Sequence, residues 1–145
     1  MFIPVDNSNI DLAAHVHAES WRASHRAFCS EEFVAAHTDA RQKEYLKRKL
    51  AAGGKLFMLI VDEPVGIVCV AGNLIEDLYV LPDRQNKGYG SELLKYAISQ
   101  CVGAPTLWIL ESNTGAERLY RRMGFKKTGN VRPHPNGIDE IEYSL

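Results

Sequence analysis

The sequence predicts an α+β fold: one mostly antiparallel sheet of about six or seven strands, flanked by helices on both sides. Three observations lead there. Helical apolar spacing fills the first fifty residues. Three β-rich runs joined by tight turns follow. The second half then alternates strand, glycine loop, helix, strand, helix and strand. With 145 residues the chain fits one compact domain.

Phe2–Val5 reads as a short first strand. Ser8, with Asp11 three residues on, is a capping signal for a helix from about Asn9 to His25. Its apolar face runs through Ile10, Ala13, Ala14, His17 and Trp21. Ser30-Glu31-Glu32 starts a short helix to about Ala36. Thr38 caps a third, which Gly53-Gly54 stops near Ala52. Arg41, Lys43, Lys47, Arg48 and Lys49 read as its solvated face. Lys55–Asp62, Val65–Ala71 and Leu74–Leu81 are strands, separated by the Glu63-Pro64 and Gly72-Asn73 turns, and they form a meander. The stripe Leu93, Leu94, Ala97, Ile98, Cys101 marks a helix that Pro105 ends. Thr106–Leu110 is a buried strand with Trp108 as packing. Asn113–Met123 is a helix closed by Gly124, and Phe125–Gly129 and Ile138–Ser144 are the last strands.

Composition removes several classes of function. A hydrophobic fraction of 46% with 24% charged residues is globular, not disordered. Seventeen basic residues against eighteen acidic ones leave a net charge of -1, so there is no global field to draw in nucleic acid or an anionic membrane. Leu56–Val61 is too short to span a bilayer, and the first residues do not read as a signal peptide. Cys29, Cys69 and Cys101 are odd in number and widely spaced, which fits reduced, mostly buried thiols in the cytoplasm. No CxxC, HExxH or Cys/His spacing suggests a metal.

The sharpest local feature runs from Asp77 to Ser91: a strand ends at Pro82, a polar loop follows, and Gly88 and Gly90 open a helix. Unpaired N–H groups at a helix start, with the helix dipole, suit an anion. Arg84 and Lys87 add positive charge. No Gly-Lys-Ser/Thr ends the loop, and Leu93 stands where a dinucleotide fingerprint has a third small residue. On the glycines alone, an ordinary tight strand-to-helix connection fits equally well.

A second motif follows at suitable spacing: Thr106–Asn113, then Arg118-Leu119-Tyr120-Arg121-Arg122-Met123-Gly124-Phe125. With Gln85, Gly88 and Gly90 matching Gln/Arg-x-x-Gly-x-Gly/Ala, and Asn113, Tyr120, Gly124 and Phe125 matching the second pattern, the chain resembles the GNAT superfamily of acetyl-coenzyme A-dependent N-acetyltransferases. The resemblance covers about Leu56 to Gly129, and is softer over the amino-terminal helices around Glu19–Ala23. It implies a single N-acetyltransferase domain over 1–145. Residues 1–54 would form the acceptor side, 55–129 the acetyl-CoA-binding core, and 130–145 a loop and the last strand. The sheet would splay between its fourth and fifth strands.

The resemblance also implies roles. The backbone of Leu78, Tyr79 and Val80 pairs with the pantetheine arm as an added strand, with a backbone N–H near Val80 meeting the oxyanion. The pyrophosphate sits at Gln85, Asn86, Lys87, Gly88, Tyr89, Gly90 and Ser91, beside Arg84. Asn113 contacts the coenzyme or fixes the splay, caps its helix, or does both. Arg118, Arg121 or Arg122 meets the 3′-phosphate or forms a solvated face. Tyr120 is the general acid, a phenol of pKa ~10 facing a departing thiolate. The family's usual base position falls on Leu74, which cannot act. Glu76, two residues on and on the same sheet face, takes that role directly or through a water. Trp21, His25, Phe28, Phe33 and His134 are candidates for the acceptor wall, whereas His15 and His17 read as a half-buried helix face.

The expected function is acetyl transfer to a primary amine of a small molecule, with no metal. Protein amino-terminal or lysine acetylation is the alternative, and Trp108, where some amino-terminal acetyltransferases carry a glutamate, weighs against the former. A non-catalytic acyl-CoA-binding module is the reading of another class. Either a monomer or a homodimer fits.

Overall fold

The computed structural model describes residues 1–135 and 137–145; Asn136, in the predicted loop before the last strand, lies outside them. Seven strands form one sheet. They are β1 (Phe2–Pro4), β2 (Lys55–Ile60), β3 (Pro64–Ala71), β4 (Leu74–Val80), β5 (Thr106–Leu110), β6 (Lys126–Pro133) and β7 (Asp139–Ser144), in the order β1-β2-β3-β4-β5-β7-β6. Neighbours are antiparallel except β4 and β5, which run parallel and register at Leu74 and Thr106. Beyond that pair the two strands part, and the gap opens toward their carboxyl ends at Val80 and Leu110.

The helices are α1 (Ile10–His25), α2 (Glu31–Ala35), α3 (Asp39–Ala51), α4 (Tyr89–Gln100) and α5 (Thr114–Arg122). They cover opposite faces because the strands alternate. Leu56 and Met58 of β2 join Ile67 and Cys69 of β3 in a core with Ala13, Ala14 and Leu46 of α1 and α3. Phe57, Leu59, Val68 and Val70 point the other way, against Leu93, Leu94 and Ala97 of α4 and Tyr120 of α5. Helix α4 lies close on the sheet because Gly66 has no side chain: a Cβ there would meet Leu93 Cδ1 at 2.6 Å and the Tyr79 carbonyl at 2.8 Å.

Local signals explain most helix starts. Ser30 accepts from the Phe33 N–H, Thr38 from Arg41 and Asn113 from Ala116, each a side-chain N-cap. Ser8 does not act as the cap of α1. Its hydroxyl donates back to Asp6, and Asn9 stands at the N-cap without a side-chain bond to the helix. The sixth strand is longer than expected, continuing past Gly129 to Pro133 because a register shift between Lys127 and Val131 lets pairing with β7 resume. Of the three free cysteines, Cys69 is buried while Cys29 and Cys101 are half-buried.

Candidate active site

The gap between β4 and β5 is continuous with a cleft of about 1380 Å³. Its walls are the loop after β4, the starts of α4 and α5, the carboxyl-terminal part of α1, and Arg132, His134, Ile138 and Glu140.

At one end lies the glycine loop. Among the described residues, the backbone amides of 85–91 make no hydrogen bond, and the first amide of α4 to bond is that of Glu92, to the Gly88 carbonyl. Gly88 holds φ 84°, a left-handed conformation that turns the chain into the helix at low steric cost. Converging free N–H groups at a helix start, with exposed approach, form an anion cradle. Arg84 is not a free cation beside it. Its guanidinium is held by Asp62 and Glu63 of the β2–β3 turn, and its N–H is taken by the Leu81 carbonyl. Lys87 is exposed and not among the cleft's lining residues, whereas Arg118 and Arg122 line it. Arg121 pairs with Glu117 at 3.0 Å instead. The Gln85 amide donates to the Val80 carbonyl at 3.3 Å.

The middle of the cleft is built on a β-bulge. Cys69 opposes Glu76 and Ile67 opposes Tyr79, so Val68 alone faces both Asp77 and Leu78. Asp77 carries the extra turn at φ 55°. The bulge shifts the alternation of β4 by one. Ile75, Leu78 and Val80 pack toward α4, while Tyr79 packs toward α1. Consecutive residues Glu76 and Asp77 therefore both reach the α1/α3 side. Glu76 Oε1 accepts from Lys49 Nζ at 2.5 Å, and its Oε2 makes no hydrogen bond among the described residues. Asp77 accepts from His17 Nε2 at 2.9 Å and from the Tyr45 hydroxyl at 2.9 and 3.1 Å. His17 Nδ1 in turn lies 2.9 Å from the Gln42 amide nitrogen.

Sequence reasoning missed this network. His17 is 1% exposed and is not part of a half-buried helix face. The signal was available only in hindsight, as apolar spacing on α1 that counts a histidine among its inward positions. Burial opposes the charge of Lys49, but the Glu76 hydrogen bond and the Asp77 charge hold its pKa above the ordinary value. Cys69, Glu76 and Asp77 place ligand atoms within 4.8 Å of one another, and the cation already beside the two carboxylates is Lys49. Burial with these two negative charges pushes the Cys69 thiol up to about 12.

Tyr120 lies on the inner face of α5, 8% exposed, and lines the cleft. Its hydroxyl makes no hydrogen bond among the described residues, and burial pushes its pKa up to about 12. Asn113 caps α5 and lines the cleft as well.

At the other end Trp21, His25, Phe28 and His134 line one wall. Trp21 is sandwiched between two imidazoles, His25 at 3.9 Å and His37 at 3.6 Å. Phe33 does not join them in the cleft: it is 47% exposed and packs on Trp21 and His37 from outside. His15 sits on the surface, bonded to Asp39 at 2.8 Å. Trp108 is not core packing. Leu107 and Ile109 take the buried face of β5, and Trp108 turns into the cleft under the Arg132 guanidinium, 4.2 Å from its ring.

The residues present fit a long anionic acyl donor. Unpaired amides stand where its phosphates would lie, the β4 edge is open, and Tyr120 offers an unpartnered hydroxyl within the same cleft. The profile of the Acetyltransferase (GNAT) domain matches residues 52–127. The chain belongs to the GNAT family of acetyltransferases. A peptidyl-lysine N-acetyltransferase, YjaB of Salmonella typhimurium (strain LT2), is 38% identical over 68 residues, 47% of this chain and 46% of that protein. The chain thus matches just under half the length of this curated relative. Among solved structures, a GNAT family acetyltransferase from Bacillus cereus superposes with a TM-score of 0.76 at 19% identity, covering 100% of this chain and 95% of that one. The PaiA N-acetyltransferase of Thermoplasma acidophilum, in complex with coenzyme A, gives 0.71 at 18% identity, covering 98% and 96%. These two likenesses establish the fold: the parted parallel pair and the flanking helices are those of the family.

Proposed function

We propose that this chain is an acetyl-CoA-dependent N-acetyltransferase acting on a primary amine. The observation that carries the reading is the set of unpaired amides at 85–91 at the mouth of the open β4–β5 gap. Residues 55–129 serve as the donor half and residues 1–54 as the acceptor half, closed by the 130–145 segment.

Bound acetyl-CoA would supply an activated acyl carbon and a thiolate leaving group. The amides of 85–91 hold its phosphates through hydrogen bonds that the fold leaves unmade. The backbone of Leu78, Tyr79 and Val80 pairs with its extended arm, and a backbone N–H near Val80 meets the developing oxyanion. Glu76 Oε2 takes the proton of the incoming ammonium, directly or through a water, so that a neutral amine attacks. As the carbon–nitrogen bond forms and the carbon–sulfur bond breaks, the Tyr120 hydroxyl gives its proton to the sulfur, and the second proton that the nitrogen sheds on becoming an amide returns to the Tyr120 oxygen through water. A pKa of about 12 keeps that proton in place at neutral pH.

The first acceptor reading is a small-molecule amine held against Trp21, His25, Phe28 and His134. The second, a lysine side chain of a protein, is favoured by the name of the YjaB relative. Among the described residues no helix is long and apolar enough to cross a membrane. With three free cysteines, we read the protein as cytoplasmic.

The test is thiol release from acetyl-CoA with a panel of small amines and lysine peptides. Turnover with any of them supports the reading, and the better class decides the acceptor. Tight coenzyme A binding without turnover across the panel would make the chain a binding module.

A further inference from the structure

Asp77 is a non-glycine residue at φ 55° in the middle of a strand, a conformation that disfavours most side chains. Something must hold it there. His17 from α1 bonds its carboxylate through Nε2, the single Tyr45 hydroxyl from α3 donates to both carboxylate oxygens, and Gln42 holds the other ring nitrogen of His17. His17 is 1% exposed and Gln42 4% exposed, so solvent competes little for these bonds. The bulge follows Glu76, which lines the cleft by regular alternation, and sets which way the backbone of 78–80 meets the open edge.

We propose that Asp77 is a positioning residue for acetyl transfer. Tethered by His17 and Tyr45, it locks the β4 bulge and so fixes the edge amides of 78–80 relative to the donor. The inference rests on the acetyltransferase reading but concerns residues that the reading does not use. Asp77 itself touches neither donor nor acceptor in this role. His17 and Tyr45 hold its carboxylate and Lys49 Nζ lies 3.9 Å from Oδ2, which suits an anchor and not a base. Helices α1 and α3, which belong to the acceptor half, thereby set the geometry of the donor strand.

Three variants separate anchor from bulk stability. Asp77→Asn keeps an acceptor oxygen for His17 or Tyr45 and tolerates the left-handed backbone. Asp77→Gly keeps the backbone conformation without the tether. Asp77→Ala loses both. Two readouts are needed: kcat with acetyl-CoA and the best amine of the panel, and amide hydrogen exchange along β3 and β4. Coenzyme A affinity is measured alongside. In Asp77→Ala and Asp77→Gly we expect kcat to fall at least tenfold, with coenzyme A Kd within threefold. Exchange at 78–80 should accelerate at least tenfold more than at 65–70. Asp77→Asn should restore kcat to within threefold of the parent.

Uniform acceleration across the sheet, or no rescue by Asn, would overturn the proposal, because either outcome means general stabilisation or a role for the charge itself. Unchanged kcat and exchange in Asp77→Gly would overturn it too. Should the parent protein bind coenzyme A yet turn over no amine, the acetyltransferase reading fails, while the exchange pattern still decides whether the tether locks the bulge.

Discussion

Arg84 and Asp62 form a two-point contact, Nη1 to Oδ1 at 3.0 Å and Nη2 to Oδ2 at 3.2 Å, and Glu63 closes on the same guanidinium at 2.6 Å. The β2–β3 turn therefore clamps the start of the glycine loop. An arginine held in this way is placed to support the loop. Loop support and phosphate ligation predict opposite results when the carboxylates are removed. If Arg84 is a clamp, Asp62→Ala with Glu63→Ala weakens acetyl-CoA binding much as Arg84→Ala does, each raising KM several-fold. If Arg84 is a phosphate ligand held in reserve, freeing it leaves KM unchanged or lowers it. Initial rates at varied acetyl-CoA distinguish the two.

Tyr120→Phe removes a hydroxyl that has no hydrogen-bond partner among the described residues, so it costs no fold contact. Thermal stability and coenzyme A affinity should stay near those of the parent, while kcat falls ten- to a hundredfold, about 1.4–2.7 kcal/mol of transition-state stabilisation. Equal kcat in the two proteins would remove the acid role. The raised pKa adds a stability term. The folded state keeps this proton up to about 12, while the unfolded chain loses it near ~10. The contribution is full below the unfolded value and is lost as pH rises through the folded one.

The fold was legible because its signals are local. Ser30, Thr38 and Asn113 cap helices where their neighbours imply, and glycine and proline punctuate the strands as expected. The donor end of the site was legible for the same reason, since backbone amides at a strand–loop–helix junction need only glycines at the right spacing. The centre was not. That Asp77 faces the same side as Glu76 depends on a bulge, and nothing in Leu74–Val80 marks one, because aspartate is ordinary at sheet surfaces and turns alike. Likewise Arg84 reads as a phosphate ligand until Asp62 and Glu63, more than twenty residues earlier, are seen folded against it. Trp108 reads as core in an apolar run, and only strand alternation in three dimensions turns it into the cleft.

Gly88 tests the cradle directly. A Cβ built there meets nothing within 4 Å, so alanine is opposed only by the left-handed backbone, about 1–2 kcal/mol. Gly88→Ala should fold, lose a few degrees of Tm, and bind coenzyme A more weakly. Gly88→Glu places a carboxylate among the amides and should abolish binding by calorimetry. Retained affinity in the glutamate variant means the phosphates lie elsewhere.

Trp21 lies between His25 and His37, with ring centroids 3.9 and 3.6 Å away. Burial lowers the pKa of both imidazoles, more than their hydrogen bonds to the Trp21 and Phe33 carbonyls raise it. The nearby positive charges of Arg22 and Arg41 at His37, and of His134 at His25 when it is protonated, act in the same direction. On acidification the unfolded chain takes up these protons first, near ~6.5, and the folded chain later. Stability contributed by the neutral pair is therefore full above the unfolded value and is lost as pH falls through the folded values. Urea midpoints should drop between pH 7.5 and 5.5, and the drop should shrink in His25→Gln with His37→Gln. In a Trp108→Phe background, Trp21 fluorescence should fall over the same range, because an imidazolium stacked on an indole quenches it. Since Trp21 and His25 also line the cleft, the acceptor KM should rise with the same midpoint. An identical pH dependence of the urea midpoint in the double variant would show that these histidines do not set it.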